Sequence, residues 1–363
     1  MKVRISEDKI WSFVYFITIL KVILFIFFTW ISPEYSLVGG GNDADYYHDY
    51  ALGYSNLAVN YWPIILRFLN EMGFYDRNIL TLIMFVSSIT ILPILFYKMV
   101  KIQTDEIKPV MAVSFLLIIY YPTIFYLTID IYREITMFVF LILCLLFYKK
   151  ILETNLPRKY FYFIIYFGLT YFLYLMRPYL GFALGLTPFV YLIFLKTRRY
   201  IKTWIFLYFL ALFLLKIFGG INEILYYREG FSRFGVGGTT MGIGLLNQGP
   251  IMFLFYYFYT LVGQLFGLFL VNTNSLIVFF LESVPFILAS TYLLKNTKFM
   301  TKFVSFLITF FIIYTSIWLL GNDNLGTAVR LRIPSYLVIF ASMLIVYQTK
   351  VVIGYEKTNN SDL

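Results

Sequence analysis

Residues 10–31 read IWSFVYFITILKVILFIFFTWI and follow Lys2, Arg4 and Lys9 directly. A helix needs roughly 20 apolar residues to cross the hydrocarbon core of a bilayer, and this run supplies them. It is too long for a signal-peptide core, and no small-x-small cleavage site follows, so it reads as an uncleaved first span. Runs of the same kind recur. Spans are expected near 10–32, 78–97, 109–128, 133–148, 160–176, 179–195, 202–219, 276–294, 303–320 and 334–348, about ten in all. The fold class that follows is all-α: a polytopic transmembrane helix bundle, with 1–363 a single integral membrane domain. Composition agrees, with 61 % hydrophobic and 13 % charged residues and a mean hydropathy of +0.80. Soluble domains carry roughly 25 % charged residues. The apolar runs show no barrel-type alternation with a ten-residue segment length.

The cations sort by type. Lys2, Lys9, Lys98, Lys101, Lys108, Lys149, Lys150, Lys159, Lys196, Lys202, Lys295, Lys298, Lys302, Lys350 and Lys357 occupy one alternating set of polar segments. The other set lacks lysine and holds Arg67, Arg77, Arg133, Arg177, Arg228, Arg233, Arg330 and Arg332. The positive-inside rule makes the lysine segments cytoplasmic, together with both termini, in a cell membrane of the bacterial inner-membrane kind. Net charge +10 is then a topology signal and not a nucleic-acid footprint. Two outer loops, 33–77 and 220–250, are long enough to carry surface helices. In the first, Pro63 can start a helix on which Arg67 and Glu71 pair at i, i+4, lying on the membrane surface. Segment 251–271 is apolar, but a full crossing would put Lys295, Lys298 and Lys302 outside, so it reads as re-entrant or interfacial. Lys21 and Lys216 sit within spans; a carboxylate partner is expected for Lys21 and snorkelling to the outer surface for Lys216.

The outer face collects the polar chemistry. Gly39-Gly40-Gly41-Asn42-Asp43-Ala44-Asp45-Tyr46-Tyr47-His48-Asp49-Tyr50 follows the first span. Asn42 or Asp43 suits the N-cap of a helix through Tyr54, with Asp45 and Asp49 on one face. Acids gathered there can equally act as a general base or hold a divalent metal. Asp130, Arg133 and Glu134, at i, i+3 and i+4, would share a helix face at the next span entrance, as a site or as a self-satisfied ion pair. Arg177-Pro178-Tyr179 marks a tight turn whose arginine needs an anion, a carboxylate or headgroups. Glu282 lies inside an apolar run and should face the bundle interior. Arg228 and Arg233 precede Gly235, Gly237, Gly238, Gly242 and Gly244, a composition that fits a mobile flap over phosphate or a plain flexible loop. Arg330 and Arg332 open the last span, where a helix N-terminus already attracts anions. One cysteine, Cys144, and one histidine, His48, exclude an intrachain disulfide and multi-histidine zinc chemistry.

These motifs resemble the GT-C class of polytopic glycosyltransferases. The matching stretches are Asn42-Asp43-Ala44-Asp45-Tyr46-Tyr47, Tyr61-Trp62-Pro63, Arg133-Glu134, Arg177-Pro178-Tyr179 and Gly326-Thr327-Ala328-Val329-Arg330. The chain lacks the soluble C-terminal domain of the larger members and is also similar in style to bacterial O-antigen and capsule polymerases. The resemblance implies transfer of a sugar from a polyprenyl-phosphate or -pyrophosphate carrier to a glycan acceptor, with membrane lipid as surroundings and no nucleic acid. It implies Asp43 or Asp45 as catalytic base, with inversion at the sugar. Arg133, Glu134, Arg177, Tyr179, Arg228, Arg233, Arg330 and Arg332 are the expected substrate-binding residues. Arginine is suited to that task because its planar fork binds phosphate bidentately. No cofactor is required if arginines neutralise the leaving phosphate, and a divalent metal stays open. The tyrosines and Trp62 offer stacking faces for sugar rings. The rival expectation is a transporter or flippase of lipid-linked glycans, for which polar residues spread through the midplane would be the sign.

Overall fold

The computed structural model describes residues 7–31, 42–102, 109–155, 157–197, 201–233, 240–270 and 272–359. The described chain is all-helical, the one extended pairing being a bridge between Thr240 and Asn324. Seven helices are long and apolar enough to cross a membrane: Glu7–Ile31, Arg77–Val100, Glu134–Glu153, Arg158–Met176, Thr273–Lys295, Lys302–Gly321 and Leu325–Ile353. The chain is therefore a helical membrane protein. Of the other three expected spans, 179–195 falls in the continuous helix Pro178–Thr197, 109–128 is broken, and Ile205–Ile217 bends by 79° into Asn222–Gly230.

The helices group into two compact units, residues 1–181 with 344–363, and residues 182–343. In the first unit, α1 (Glu7–Ile26), continued by a π-helical turn Phe27–Ile31, packs on α6 (Pro109–Ile119). Two short helices follow α1, α2 (Asn42–Leu52) and α3 (Tyr61–Glu71), packed on each other. Asn60 caps α3 by accepting from Trp62 N at 3.0 Å. Then come α4 (Arg77–Ile89), α5 (Ile91–Val100), α6 and α7 (Pro122–Tyr126). The long pair α8 (Glu134–Glu153) and α9 (Arg158–Met176) and the start of α10 (Pro178–Thr197) complete the unit.

Prolines decide where these helices break. A proline ring collides with the carbonyl four residues back and supplies no N–H. Pro93 opposes Ile89, the last residue of α4, and Pro122 opposes Ile118 near the end of α6. Lys21 uses the second break. Its ammonium donates to Tyr121 O at 3.2 Å and lies 5.3 Å from the Phe125 ring centroid. It thus meets a carbonyl and an aromatic face at a helix end, where a cation is favoured. The turn between α9 and α10 is close: a Cβ on Gly181 would lie 2.4 Å from Tyr174 Cα, so only glycine fits.

The second unit begins within α10 and continues through α11 (Ile201–Ile217), α12 (Asn222–Arg233), α13 (Pro250–Thr260) with a π-helical turn Leu261–Leu265, and α14 (Thr273–Val278). A further π-helical turn, Phe279–Ser283, leads into α15 (Val284–Lys295), followed by α16 (Lys302–Gly321) and the start of α17 (Leu325–Asn359), whose residues from Leu344 on belong to the first unit. Pro285 accounts for the turn before α15, because its ring opposes Leu281 O. Within this unit α16 and α17 are joined by Tyr314 OH to Leu331 O at 2.9 Å and Thr315 Oγ1 to Ser335 Oγ at 2.9 Å. Helix α13 starts beside the end of α11, where Lys216 lies 5.6 Å from the Phe253 ring. It finishes beside the end of α16, where Gln264 Nε2 donates to Asn322 O at 2.9 Å.

Candidate functional site

In the first unit Asp76 caps α4, accepting from Ile79 N at 2.9 Å, which makes Arg77 the first helical residue. Its guanidinium grips Asp130 through Nε to Oδ1 at 2.9 Å and Nη2 to Oδ2 at 2.6 Å, and Nη2 also reaches Asp45 Oδ1 at 2.8 Å. One arginine thus joins α2, the start of α4 and the turn before α8. Neighbouring contacts fasten the same layer. Trp62 Nε1 donates to Ile131 O at 2.8 Å, His48 Nδ1 meets Tyr75 OH at 2.7 Å, and Arg67 donates to Tyr50 O and Ser55 O at 3.0 and 2.7 Å. Burial pushes the Tyr75 phenol up to about 12, with Arg77 opposing and Asp130 and Asp76 adding, so it keeps its proton.

Beside this splint lies a second pair. Glu134, the first residue of α8, and Arg177, at the end of α9, meet through Oε1 and Nη2 at 2.9 Å with side chains 2 % and 4 % exposed. The acid sits at a helix N-terminus and the base at a helix C-terminus, the arrangement the helix dipoles favour. Tyr179 lies over the same guanidinium, 5.6 Å away. Arg133 is different. Its Nη1 donates to Met176 O at 2.9 Å, while its Nε is buried and makes no hydrogen bond. Tyr47 is the common neighbour: burial raises its phenol above the ordinary value, Arg133 pulls it down, and Glu134 and Asp43 push it up. Asp43, Tyr47, Arg133 and Glu134 therefore form one electrostatic cluster, with Arg177 and Tyr179 attached to it.

The second unit has its own polar assembly. Arg228 pairs with Asp323 at 2.5 Å, and Arg332 with Glu282 at 3.0 Å, all four side chains at most 3 % exposed. Tyr336 OH donates to Leu265 O at 2.6 Å and lies 3.1 Å from Ser283 Oγ. Gly267, at φ +66°, passes so close that a Cβ would stand 2.5 Å from Ser283 Oγ and 2.8 Å from Arg332 Nη1. The π-helical turns Leu261–Leu265 and Phe279–Ser283 flank this point, and such turns recur at functional positions.

The structure thus gathers Asp43, Arg133, Glu134, Arg177 and Tyr179 in the first unit, with Asp45 held by Arg77, and places Arg228 and Arg332 in separate buried ion pairs of the second, where Arg330 lies in the second turn of α17. The Arg233 side chain lies outside the described residues. Several local expectations change. Asp130, Arg133 and Glu134 do not share a helix face, because α8 begins only at Glu134; Asp130 instead pairs with Arg77 and Glu134 with Arg177. Arg67 holds the end of α2 and not Glu71. Trp62 is buried and hydrogen-bonded, so it offers no stacking face. Lys216 donates to Leu245 O and Leu246 O at 3.2 and 2.5 Å. The strap 240–246 is fastened: Arg228, Lys216 and Asp323 all bond its backbone. Sequence reasoning missed Arg77, which looks like an ordinary helix-start residue after Asp76, and Tyr47, hidden among tyrosines. It also missed Gln264, Asn322 and Asp323 as a group. Among the described residues no three His, Cys, Asp or Glu side chains are grouped to hold a metal ion. No family model, no curated protein and no solved structure matches the chain.

Proposed function

We propose that the chain is a membrane glycosyltransferase that moves a sugar from a polyprenyl-phosphate or -pyrophosphate carrier to a glycan or lipid-linked acceptor, at the outer face of the cytoplasmic membrane. The observation that carries this reading is Arg133. Arg77 is committed to two carboxylates and Arg177 to Glu134, whereas among the described residues Arg133 pairs with no carboxylate: one donor lies on a carbonyl and its buried Nε makes no hydrogen bond. A guanidinium so placed attracts a phosphate oxygen, and electrostatic stabilisation of a departing phosphate is the main demand of this transfer. Asp43 lies on the same cluster through Tyr47. Asp45 pairs with Arg77, and Asp43, the acid that shares Tyr47 with Arg133 and Glu134, is assigned the base role. It takes the proton from the attacking acceptor hydroxyl while the bond from the anomeric carbon to the carrier phosphate breaks. The configuration inverts and the phosphate leaves on the carrier beside Arg133. A repeat-unit polymerase would use the same chemistry with a longer acceptor.

The proposed topology has ten crossings, the seven continuous spans plus the segments around α6–α7, α10 and α11, with both termini cytoplasmic. Helix α13 does not cross in this topology. Its first residues pack at the end of α11 and its last at the end of α16, and both of those helices start from lysine-bearing segments. Helix ends on one side of the membrane fit an interfacial or re-entrant α13.

Transfer of label from a polyprenyl-phosphate-sugar extract to acceptor, by the purified protein in nanodiscs, tests the reading. Transfer should vanish in Arg133→Ala and in Asp43→Asn, with labelled donor still bound by Asp43→Asn. Wild-type protein that moves intact lipid-linked glycan across sealed vesicles without breaking the sugar–phosphate bond would replace it by the transporter reading.

A further inference from the structure

The outer end of α16 presents chemistry of a different kind from the arginine cluster of the first unit. Arg228 has five N–H donors, and all five are used: Nε on Ile243 O at 3.1 Å, Nη1 on Leu319 O at 2.8 Å and on Asn322 O, Nη2 on Thr260 Oγ1 at 3.4 Å and Asp323 Oδ1 at 2.5 Å. The second carboxylate oxygen of Asp323 accepts from Gly242 N at 3.0 Å. This pair is a pin that leaves nothing for an anion. What it surrounds is neutral. Asn322 spends both amide hydrogens, on Gln264 Oε1 and Asn324 O at 2.8 Å each, which fixes the orientation of its carboxamide. Its Oδ1 is buried and accepts nothing, in a residue 1 % exposed. One turn earlier on α16, Trp318, also 1 % exposed, has a buried Nε1–H that donates to nothing.

A buried polar atom without a partner costs about 1–3 kcal/mol, so an idle acceptor and an idle donor on neighbouring turns need a reason. A hydroxyl group both gives and takes a hydrogen bond, and satisfies that combination where an anion or a cation satisfies half of it. Gly321 lies between them in the chain, and a Cβ there would be 3.8 Å from the Tyr227 ring, which is 64 % exposed and presents an aromatic face of the kind on which a sugar ring stacks. The strap runs alongside: Met241 N donates to Asp323 O at 3.0 Å, and Thr240 bridges Asn324.

We propose that Asn322, Trp318 and Tyr227 form a subsite for an uncharged, polyhydroxylated ligand, a carbohydrate, closed by the 240–246 strap and its Arg228–Asp323 pin. Ligand entry requires the strap to lift, which breaks the Gly242–Asp323 and Arg228–Ile243 bonds first. The subsite stands on the groups of the second unit, and does not depend on the chain being a transferase.

The test is calorimetric titration of the full chain in nanodiscs with free glucose, galactose, mannose and N-acetylglucosamine, and with inorganic phosphate as the charged probe. At least one sugar should bind saturably without competition from phosphate. Trp318→Phe removes the N–H while keeping an aromatic core, and should weaken binding by about five- to tenfold, the worth of one neutral hydrogen bond. Asn322→Leu should abolish binding. The proposal is overturned if no sugar binds, if phosphate displaces the sugar, or if Trp318→Phe binds as tightly as wild type; the last criterion decides alone if Asn322→Leu does not fold. Sugar binding without any sugar transfer would leave the subsite standing and remove the transferase reading.

Discussion

Breaking the Glu134–Arg177 pair should be among the most damaging single changes in the first unit. Both side chains are nearly inaccessible, at 2 % and 4 % exposure, and their contact at 2.9 Å closes the open end of the α8–α9 pair. Removing one partner strands a buried charge, which typically costs about 3–5 kcal/mol, or about two to four orders of magnitude in the folding equilibrium. Glu134→Gln and Arg177→Met should each lose that much. Replacing both by well-packed apolar residues removes the stranded charge as well, and such replacements are often neutral or stabilising. Glu134→Leu with Arg177→Met should therefore recover most of the loss and remain folded. Unfolding in mixed micelles with increasing denaturing detergent, followed by circular dichroism, measures all the variants on one scale. Arg177→Lys should fall between wild type and Arg177→Met, because lysine keeps the charge and loses the planar fork. Single variants within about 1 kcal/mol of wild type would mean that the pair is hydrated, as exposed salt bridges are. A double variant as unstable as the worse single one would refute the stranded-charge reasoning and assign the loss to packing.

In a chain with Cys144 replaced, a cysteine at Asn56 should react with an impermeant thiol reagent added outside, and cysteines at Asn155 or Thr297 should not; reaction at Thr297 would make α13 a full crossing and invert the later spans. All three chosen positions are exposed. Asp43→Asn should reduce sugar transfer by about 10²–10⁴-fold, the usual contribution of a general base. Asp45→Asn should cost less, since Arg77 keeps its forked contact to Asp130, and equal turnover in Asp43→Asn and wild type would remove the first loop from catalysis. Gly181→Val should lower thermal stability and yield in detergent, because its Cβ would meet the Tyr174 backbone at 2.4 Å; overpacking of that kind costs about 1–3 kcal/mol or more, and a fully stable variant would show that the α9–α10 turn relaxes freely.

Much of the fold was open to reading in one dimension. Apolar runs of spanning length mark the helices because a bilayer leaves the backbone no other way to satisfy its hydrogen bonds. Caps at Asn60 and Asp76 and breaks before Pro93 and Pro122 are also local events, set by residues within one turn, although the spans expected at 78–97 and 109–128 did not include them. The α2 helix over the acidic loop rests on the same local logic. Two compact units were not visible, because both boundaries, at Gly181 and Met343, fall inside helices and no linker composition marks them.

The partnership of each charge is what only the tertiary structure decided. Asp130, Arg133 and Glu134 are neighbours in sequence, yet they face Arg77, Met176 O and Arg177, partners contributed by other helices. Local spacing suggested a pair between Arg67 and Glu71, and packing gave Arg67 the carbonyls at the end of α2. The arginines looked alike in sequence, but Arg133 keeps a buried nitrogen without a hydrogen bond while Arg228 spends every donor on its own chain. The physical reason is range. Helix formation and membrane insertion depend on composition over one or two turns, and the chain carries that information directly. The availability of a guanidinium depends on which carboxylates and carbonyls arrive from segments 43 to 95 positions away, and that is fixed only when the helices pack.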